Sequence, residues 1–247
     1  MDFDGLVKTW DKLGEQDPLW SILTDPNKKG GKWDVDEFFQ TGVNQIDLIM
    51  NDPIFVSLNR ETCLDFGCGV GRLSQAFVKY FEKVYAVDVS EHMLNLANKY
   101  NKHGDRCKYI LNNSDTLEIF QDCFFDFVFS FLVLQHMEPK YSLTYVEEFM
   151  RILKVGGWLV FQIPSAWKKG FCSLIGQKYN KKTNHMEMYY VSKEEIIRII
   201  EKNGGYIERI EEYNSNGEDF MDCIYYVRKI KHYNILKFLV KQDVKRI

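Results

Sequence analysis

The sequence predicts a doubly wound α/β protein on a mainly parallel sheet, and three observations carry that prediction. From residue 60 onward, short apolar runs of four to six residues alternate with helical patterns. A glycine-rich turn follows the first apolar run, and an acidic residue closes the second. Strands that are apolar throughout, rather than alternating, belong to a sheet covered by helices on both faces.

The elements follow in order. The first fifty or so residues differ from the rest, with Trp10, Trp33, Phe38 and Phe39 set among Asp, Lys and Gly. Lys28-Lys29-Gly30-Gly31 signals a loop, and Asp34 stands three residues before Glu37, a helix-start pattern. The helix is expected to carry Phe38, Phe39, Ile46, Ile49 and Met50 and to close at Asn51-Asp52-Pro53. Strands are expected at Thr62 to Phe66, Val84 to Val87, Lys108 to Leu111, Phe127 to Ser130 and Trp158 to Ile163. Between them, helices are expected at Arg72 to Tyr80, Ser90 to Asn101 and Tyr141 to Leu153. Ser192, three residues before Glu195, caps a further helix that Gly204-Gly205 stops after Asn203. Two β-rich runs follow, Tyr206 to Tyr213 and Phe220 to Arg228, joined through Asn216-Gly217, a hairpin signal that makes the end of the sheet antiparallel.

The chain has 247 residues, 45% of them hydrophobic and 27% charged, which suits a globular domain and excludes wholesale disorder. A net charge of −3 argues against a general nucleic-acid binder, whose affinity comes largely from excess cations. Six scattered cysteines without a C-x-x-C pair read as reduced thiols, and the five histidines complete no tetrahedral metal set. The start, MDFDGLVKTW, lacks the basic and apolar regions of a signal peptide, and no later stretch reaches about 18 uncharged apolar residues. The expectation is a cytoplasmic protein with no transmembrane segment.

Ligands of open α/β sheets bind beyond the carboxyl ends of the strands, where the strand order reverses. Here the first such turn is Leu64-Asp65-Phe66-Gly67-Cys68-Gly69-Val70-Gly71-Arg72. Twenty-one residues after Gly67 comes Asp88, at the end of the second strand, where an ionised carboxylate accepts from both hydroxyls of a ribose. A dinucleotide fingerprint, G-x-G-x-x-G, fails because its third glycine position is Arg72. Asp65 at the rim of the turn would repel a pyrophosphate, whereas it suits a ligand with an ammonium group. S-adenosylmethionine (SAM) has that ammonium, a sulfonium and no phosphate, and is preferred over NAD.

This turn with Asp88 resembles the first two motifs of the class I SAM-dependent methyltransferases. Phe125-Asp126-Phe127-Val128-Phe129-Ser130 with Leu134-Gln135-His136 is similar to the family's fourth strand, and Arg151 to Trp158 to its entry into strand five. The resemblance implies a Rossmann-like seven-stranded sheet with its last strand reversed in a methyltransferase domain over 56–230, preceded by an N-terminal helical lid over residues 1–55. The charge and spacing of residues 231–247 add the expectation of a basic C-terminal helix. It implies SAM as cofactor, S-adenosylhomocysteine as its product, and a small-molecule acceptor that is anionic or sugar-like, methylated on oxygen or nitrogen.

Carried over residue by residue, the resemblance puts Asp65, Gly67, Cys68, Gly69 and Gly71 around the methionine part of SAM and Asp88 on its ribose. Val89 and Met93 would lie near the adenine, with one or more of Asn113, Ser114 and Asp115. Ser130, Phe131 and Gln135 would close over the methionine end. Trp33 and Phe38 resemble the lid segments of some members, and Tyr189 and Tyr190 would line the acceptor pocket. Where the acceptor atom is oxygen, His136 and His185 are the candidate general bases, each of which also has a plainer reading as a wall or loop residue. No Asn/Asp-Pro-Pro-aromatic box follows strand four, which argues against a nucleic-acid substrate.

Two basic segments stand apart. Lys168, Lys169, Lys178, Lys181 and Lys182 lie between Ser165 and Met186 with no acid, a local charge of +5, in a loop that is either solvated or guides an anion. Arg228 to Ile247 holds seven Lys/Arg and only Asp243, 7 − 1 = +6, with Ile235, Leu236, Leu239 and Val240 at helical spacing. That segment reads as a terminal helix on its own domain or as a contact for a membrane surface or partner.

Overall fold

A computed structural model describes residues 2–167, 187–213 and 220–230. Among the described residues, seven strands form one sheet: β1 (Thr62–Phe66), β2 (Lys83–Asp88), β3 (Cys107–Leu111), β4 (Phe125–Ser130), β5 (Leu153–Trp167), β6 (Gly205–Tyr213) and β7 (Phe220–Lys229). Their order is β3-β2-β1-β4-β5-β7-β6. Neighbours from β3 to β5 are parallel, while β7 runs antiparallel to both β5 and β6. The chain thus winds outward from β1 in one direction and from β4 in the other, so a crevice opens beyond their carboxyl ends.

The helices are α1 (Phe3–Gln16), α2 (Pro18–Ile22), α3 (Val35–Met50), α4 (Arg72–Phe77), α5 (Glu91–Tyr100), α6 (Pro139–Ile152) and α7 (Lys193–Lys202). Their starts follow from side-chain caps: Asp34 accepts from the Glu37 amide, Ser90 from Met93 and Ser192 from Glu195, each satisfying a donor the helix leaves open. One face of the sheet packs on α6 and α7, where Phe66, Val128 and Phe161 meet Phe149 and Ile196. The other packs on α3 and α4, where Phe127, Phe129 and Val160 meet Ile46, Met50 and Phe77. Burying each such side chain contributes about 1.5–3 kcal/mol, so the centre of the sheet is the rigid frame for everything at its edge.

Some boundaries differ from the sequence expectation. Pro139 starts α6 earlier, because its missing amide donor costs nothing in a first turn. Leu153 passes directly into a strand, with Gly156 turning at φ +85 where β5 shifts register against β4. The N-terminal segment holds α1 and α2 ahead of the helix that Asp34 marks in the sequence. Asp2 caps α1, and Leu6 enters the core on the α6 side. The Asn216-Gly217 turn lies outside the described residues, as do the lysine-rich segment from Lys168 and residues 231–247. Among the described residues no helix is long and apolar enough to cross a membrane.

Gly42 marks the closest approach between the N-terminal helices and the sheet domain. A Cβ built there would sit 2.3 Å from the carbonyl oxygen of Arg72, a backbone atom that cannot swing away. Gly42→Ala is therefore expected to push α3 off α4 and lower unfolding stability by about 1–3 kcal/mol, measured by urea titration.

Candidate functional site

β1 delivers the chain into the crevice at Phe66, and the next five residues turn it back into α4. Gly67, Gly69 and Gly71 all have positive φ (+76, +53 and +86), which side chains of L-residues rarely adopt. The amides of Gly67 and Cys68 donate to the Val87 carbonyl at 2.8 and 3.0 Å, tying the turn to β2. Asp88, at the end of β2, completes the tie: one carboxylate oxygen accepts from the Gly69 amide at 2.8 Å and the other from Ser90 at 2.9 Å. Burial raises the pKa of Asp88, and the amides of Ser90, Gly69 and Val89 oppose that rise. Each oxygen keeps a lone pair, so the carboxylate still accepts two hydroxyls.

Two opposite charges sit behind the turn. Asp65 is 2% exposed and accepts from Ser74 Oγ at 2.5 Å. Burial pushes its pKa up to about 6, opposed by the Ser74 bond and by the nearby Arg72. Arg72 is 4% exposed and donates to Thr41 Oγ1 at 3.2 Å and to Gln45 Oε1 at 3.0 Å, both on α3. Burial lowers its pKa to about 10.

Above the turn lies a cavity of about 880 Å³, within the range of about 300–1,000 Å³ usual for small-molecule sites. Its roof comes from the N-terminal helices through Leu6, Trp10, Trp20, Ile22 and Trp33. Asp11 of α1 latches that roof to the start of α5. Its Oδ1 accepts from Ser90 Oγ at 2.9 Å and from the His92 amide at 3.1 Å, and its Oδ2 pairs with His92 Nδ1 at 3.0 Å.

The candidates divide by position. Asp65, Gly67, Cys68 and Gly69 line the cavity from the turn, as do Asp88, Val89 and Met93 from β2 and α5. Phe131, Gln135 and His136 line it after β4, and Trp33 lines it from the roof. Other candidates stand outside the lining. Gly71 is packed against Tyr109, whose Oη would lie 2.2 Å from an added Cβ, so its role is the close approach of two segments. Asn113, Ser114 and Asp115 are exposed, and the buried amide beside them is Asn112, which donates to the carbonyls of Ser114 and Thr116. Ser130 is fully buried at the end of β4. Phe38 packs edge-on between Trp33 and Phe39 inside the roof. Tyr189 and Tyr190 are buried, while their neighbour Met188 faces the cavity. His185 lies outside the described residues.

His136 is held on both ring nitrogens. The Gln135 amide nitrogen, which can only donate, lies 3.1 Å from Nε2, so the proton resides on Nδ1 and is donated to the Glu187 carbonyl at 3.1 Å. Burial lowers its pKa to about 4, and Trp10 packs edge-on against the ring at 5.0 Å. The same chain of bonds runs on from Gln135 through Gln162 to Asp222.

Sequence reasoning missed Arg72, Trp10, Trp20, Ile22, Tyr145 and Tyr213, all of which line the cavity. For Arg72 the signal was its place directly after Gly71. For the tryptophans it was their clustering ahead of the first strand.

Comparison with known proteins bears on this arrangement. A family profile described as a methyltransferase domain matches residues 64–161. A ubiquinone biosynthesis O-methyltransferase of Nitrosomonas europaea is 26% identical over 151 residues, covering 60% of this chain and 63% of its own. A biotin biosynthesis bifunctional protein of Teredinibacter turnerae is 32% identical over 127 residues, covering 44% of this chain and 22% of its own. The chain thus spans less than two thirds of the curated relatives it matches. Among solved structures, a SAM-dependent methyltransferase of Leishmania major superimposes with a TM-score of 0.65 at 13% identity, covering 92% of this chain and 82% of its own. The magnesium protoporphyrin IX methyltransferase of Synechocystis, solved with S-adenosylhomocysteine bound, gives 0.63 at 17% identity, covering 92% of this chain and 100% of its own. At such identities the likeness is one of fold.

Proposed function

We propose that this chain, which belongs to the class I SAM-dependent methyltransferases, methylates an oxygen or nitrogen atom of a small molecule that enters beneath the N-terminal helices. The observation that carries the reading is the cavity itself: one space brings together the glycine turn, Asp88, Asp65 and an aromatic roof. The donor set fits SAM. Asp88 offers lone pairs to the ribose, Val89 and Met93 offer apolar surface to the adenine, and Asp65 offers a carboxylate to the ammonium.

When bound, SAM supplies a methyl group on a sulfonium, a leaving group good enough that a positioned nucleophile suffices. The residues of the chain then mainly orient and enclose. Positioning alone supports effective molarities of about 10⁵–10⁸ M, and Trp10, Trp20 and Trp33 cover the space above the turn. We assign His136 the work of a wall, since its Nε2 lone pair is occupied by Gln135 and its basicity is low. His136→Asn is therefore expected to lower kcat by less than about tenfold, where loss of a general base costs about 10²–10⁴-fold. A larger fall, rescued at high pH, would restore the base assignment.

The negative net charge favours a small acceptor over a nucleic acid, and the O-methyltransferase relatives favour oxygen as the acceptor atom. We place the protein in the cytoplasm, in keeping with the buried thiols Cys63, Cys68, Cys107 and Cys223, which form no disulfide among the described residues. The test is transfer of a labelled methyl group from SAM to a panel of phenols, hydroxy acids and amines. Tight SAM binding without transfer to any of them would favour a binding protein of this fold instead.

A further inference from the structure

A polar chain runs through the interior behind the cavity wall, with Gln162 on β5 and Asp222 on β7 both fully buried. Apolar side chains of similar volume often serve a core as well or better, so stability alone does not account for such groups. Two backbone groups, one at each end, set the direction of every bond in the chain. At one end the Leu132 amide can only donate, so Gln162 turns its Oε1 toward it at 3.1 Å. Gln162 Nε2 then gives one hydrogen to Gln135 Oε1 at 3.1 Å and the other to Asp222 Oδ1 at 3.2 Å. Gln135 is left with its Nε2 toward His136 Nε2, which must be bare, so Nδ1 carries the proton. At the other end the Glu187 carbonyl can only accept, and it accepts from that Nδ1 at 3.1 Å. Reversing any one amide would set donor against donor or acceptor against acceptor, which is costly away from water.

Both ends of the chain belong to the cavity wall. Leu132 lines the cavity with its neighbours Phe131 and Val133 and has φ +61, which a leucine adopts only at a cost. Glu187 precedes Met188, which also lines the cavity, and the Tyr189 amide donates to the Gln135 carbonyl at 2.8 Å. The roof meets the same ring, since Trp10 packs edge-on against His136. We propose that Gln162, clamped by Asp222, is a positioning residue for this wall. Through Leu132 it holds the strained turn after β4, and through Gln135 it fixes one tautomer of His136, whose ring then holds the Met188 segment. That the wall so held faces the methyl acceptor rests on the reading of the preceding subsection; the tautomer does not.

The experiment compares the full chain, labelled with nitrogen-15 histidine, as wild type, as Gln162→Leu and as Gln162→Leu combined with Asp222→Leu. The double variant guards against misfolding, because it removes the buried carboxylate together with its donor. Long-range nitrogen–proton NMR reads the His136 ring, identified among the five histidines by its absence from His136→Asn. Wild type is expected to show the Nδ1–H tautomer alone and both variants a mixture of the two. Amide exchange at Tyr189 is expected to quicken by about five- to tenfold in the variants, while β1 and β4 stay protected. KM for the acceptor found with the labelled-methyl panel is expected to rise by about five- to tenfold, and S-adenosylhomocysteine affinity to change less. An unaltered tautomer and unaltered exchange in the folded double variant overturn the proposal. A fall in S-adenosylhomocysteine affinity as large as the rise in KM overturns the assignment of the wall to the acceptor. If S-adenosylhomocysteine does not bind wild type, the methyltransferase reading fails, and the tautomer and exchange results judge Gln162 by themselves.

Discussion

Asp88→Ala is expected to weaken S-adenosylhomocysteine binding by about a hundredfold or more. The carboxylate accepts two backbone amides, Gly69 and Ser90, and in the proposed function its remaining lone pairs take the two ribose hydroxyls. Each charge-assisted bond is worth about 1.5–3 kcal/mol, and two of them disappear with the side chain. The same change leaves the Gly69 and Ser90 amides without their acceptor, which costs the unliganded protein about 1–3 kcal/mol of stability. Asp88→Asn separates the two effects, because its single carbonyl oxygen still accepts from one amide and from one hydroxyl. Calorimetry should therefore rank affinity as wild type, then Asn, then Ala. Equal affinity in all three would remove Asp88 from the ribose.

Asp65→Asn is expected to raise stability while lowering donor affinity. Burial lifts the folded-state pKa of Asp65 from 3.8 to about 6, so the folded protein holds that proton more tightly than the unfolded chain. The stability this contributes is complete below the unfolded value and is lost as pH rises through about 6. At neutral pH an ionised Asp65 therefore costs on the order of 1–3 kcal/mol in the empty site. Asparagine keeps an acceptor for Ser74 and removes the charge. Thermal unfolding at pH 7.5 should show the variant melting above wild type, with the gap closing toward pH 4. Donor affinity should fall about tenfold or more, since a neutral amide replaces the carboxylate that the proposed function sets against the ammonium. A variant that melts lower at pH 7.5 would show that burial of this carboxylate is not the strain described.

Much of the frame was legible because local chemistry and tertiary structure agree. Thr62 to Phe66 is a short run, mostly apolar around Asp65 and stopped by Gly67, and β1 has those limits. Ser90 and Ser192 read as caps and act as caps. The place of Asp88 at the end of β2 was legible because its distance from Gly67 follows from one helix and one strand of ordinary length. What escaped depends on which way a buried side chain points. Tyr189 and Met188 are neighbours of similar bulk, yet only Met188 reaches the cavity, and no periodicity distinguishes them in an irregular stretch. Asn112 and Asn113 differ by one position, but one is buried and bonded to two carbonyls while the other faces solvent. Arg72 reads in the sequence as a helix-start residue that spoils a dinucleotide pattern. Only the packing of α3 against it, allowed by Gly42, shuts it away from water.

The central claim is that the acidic pair around the glycine turn selects a zwitterionic sulfonium nucleoside over a dinucleotide. Parallel calorimetric titrations of the full chain with S-adenosylhomocysteine and with NADH test it most directly. Saturable binding of S-adenosylhomocysteine in the micromolar range or tighter, with no heat from NADH, is the predicted result. Saturation by NADH with S-adenosylhomocysteine silent would contradict it.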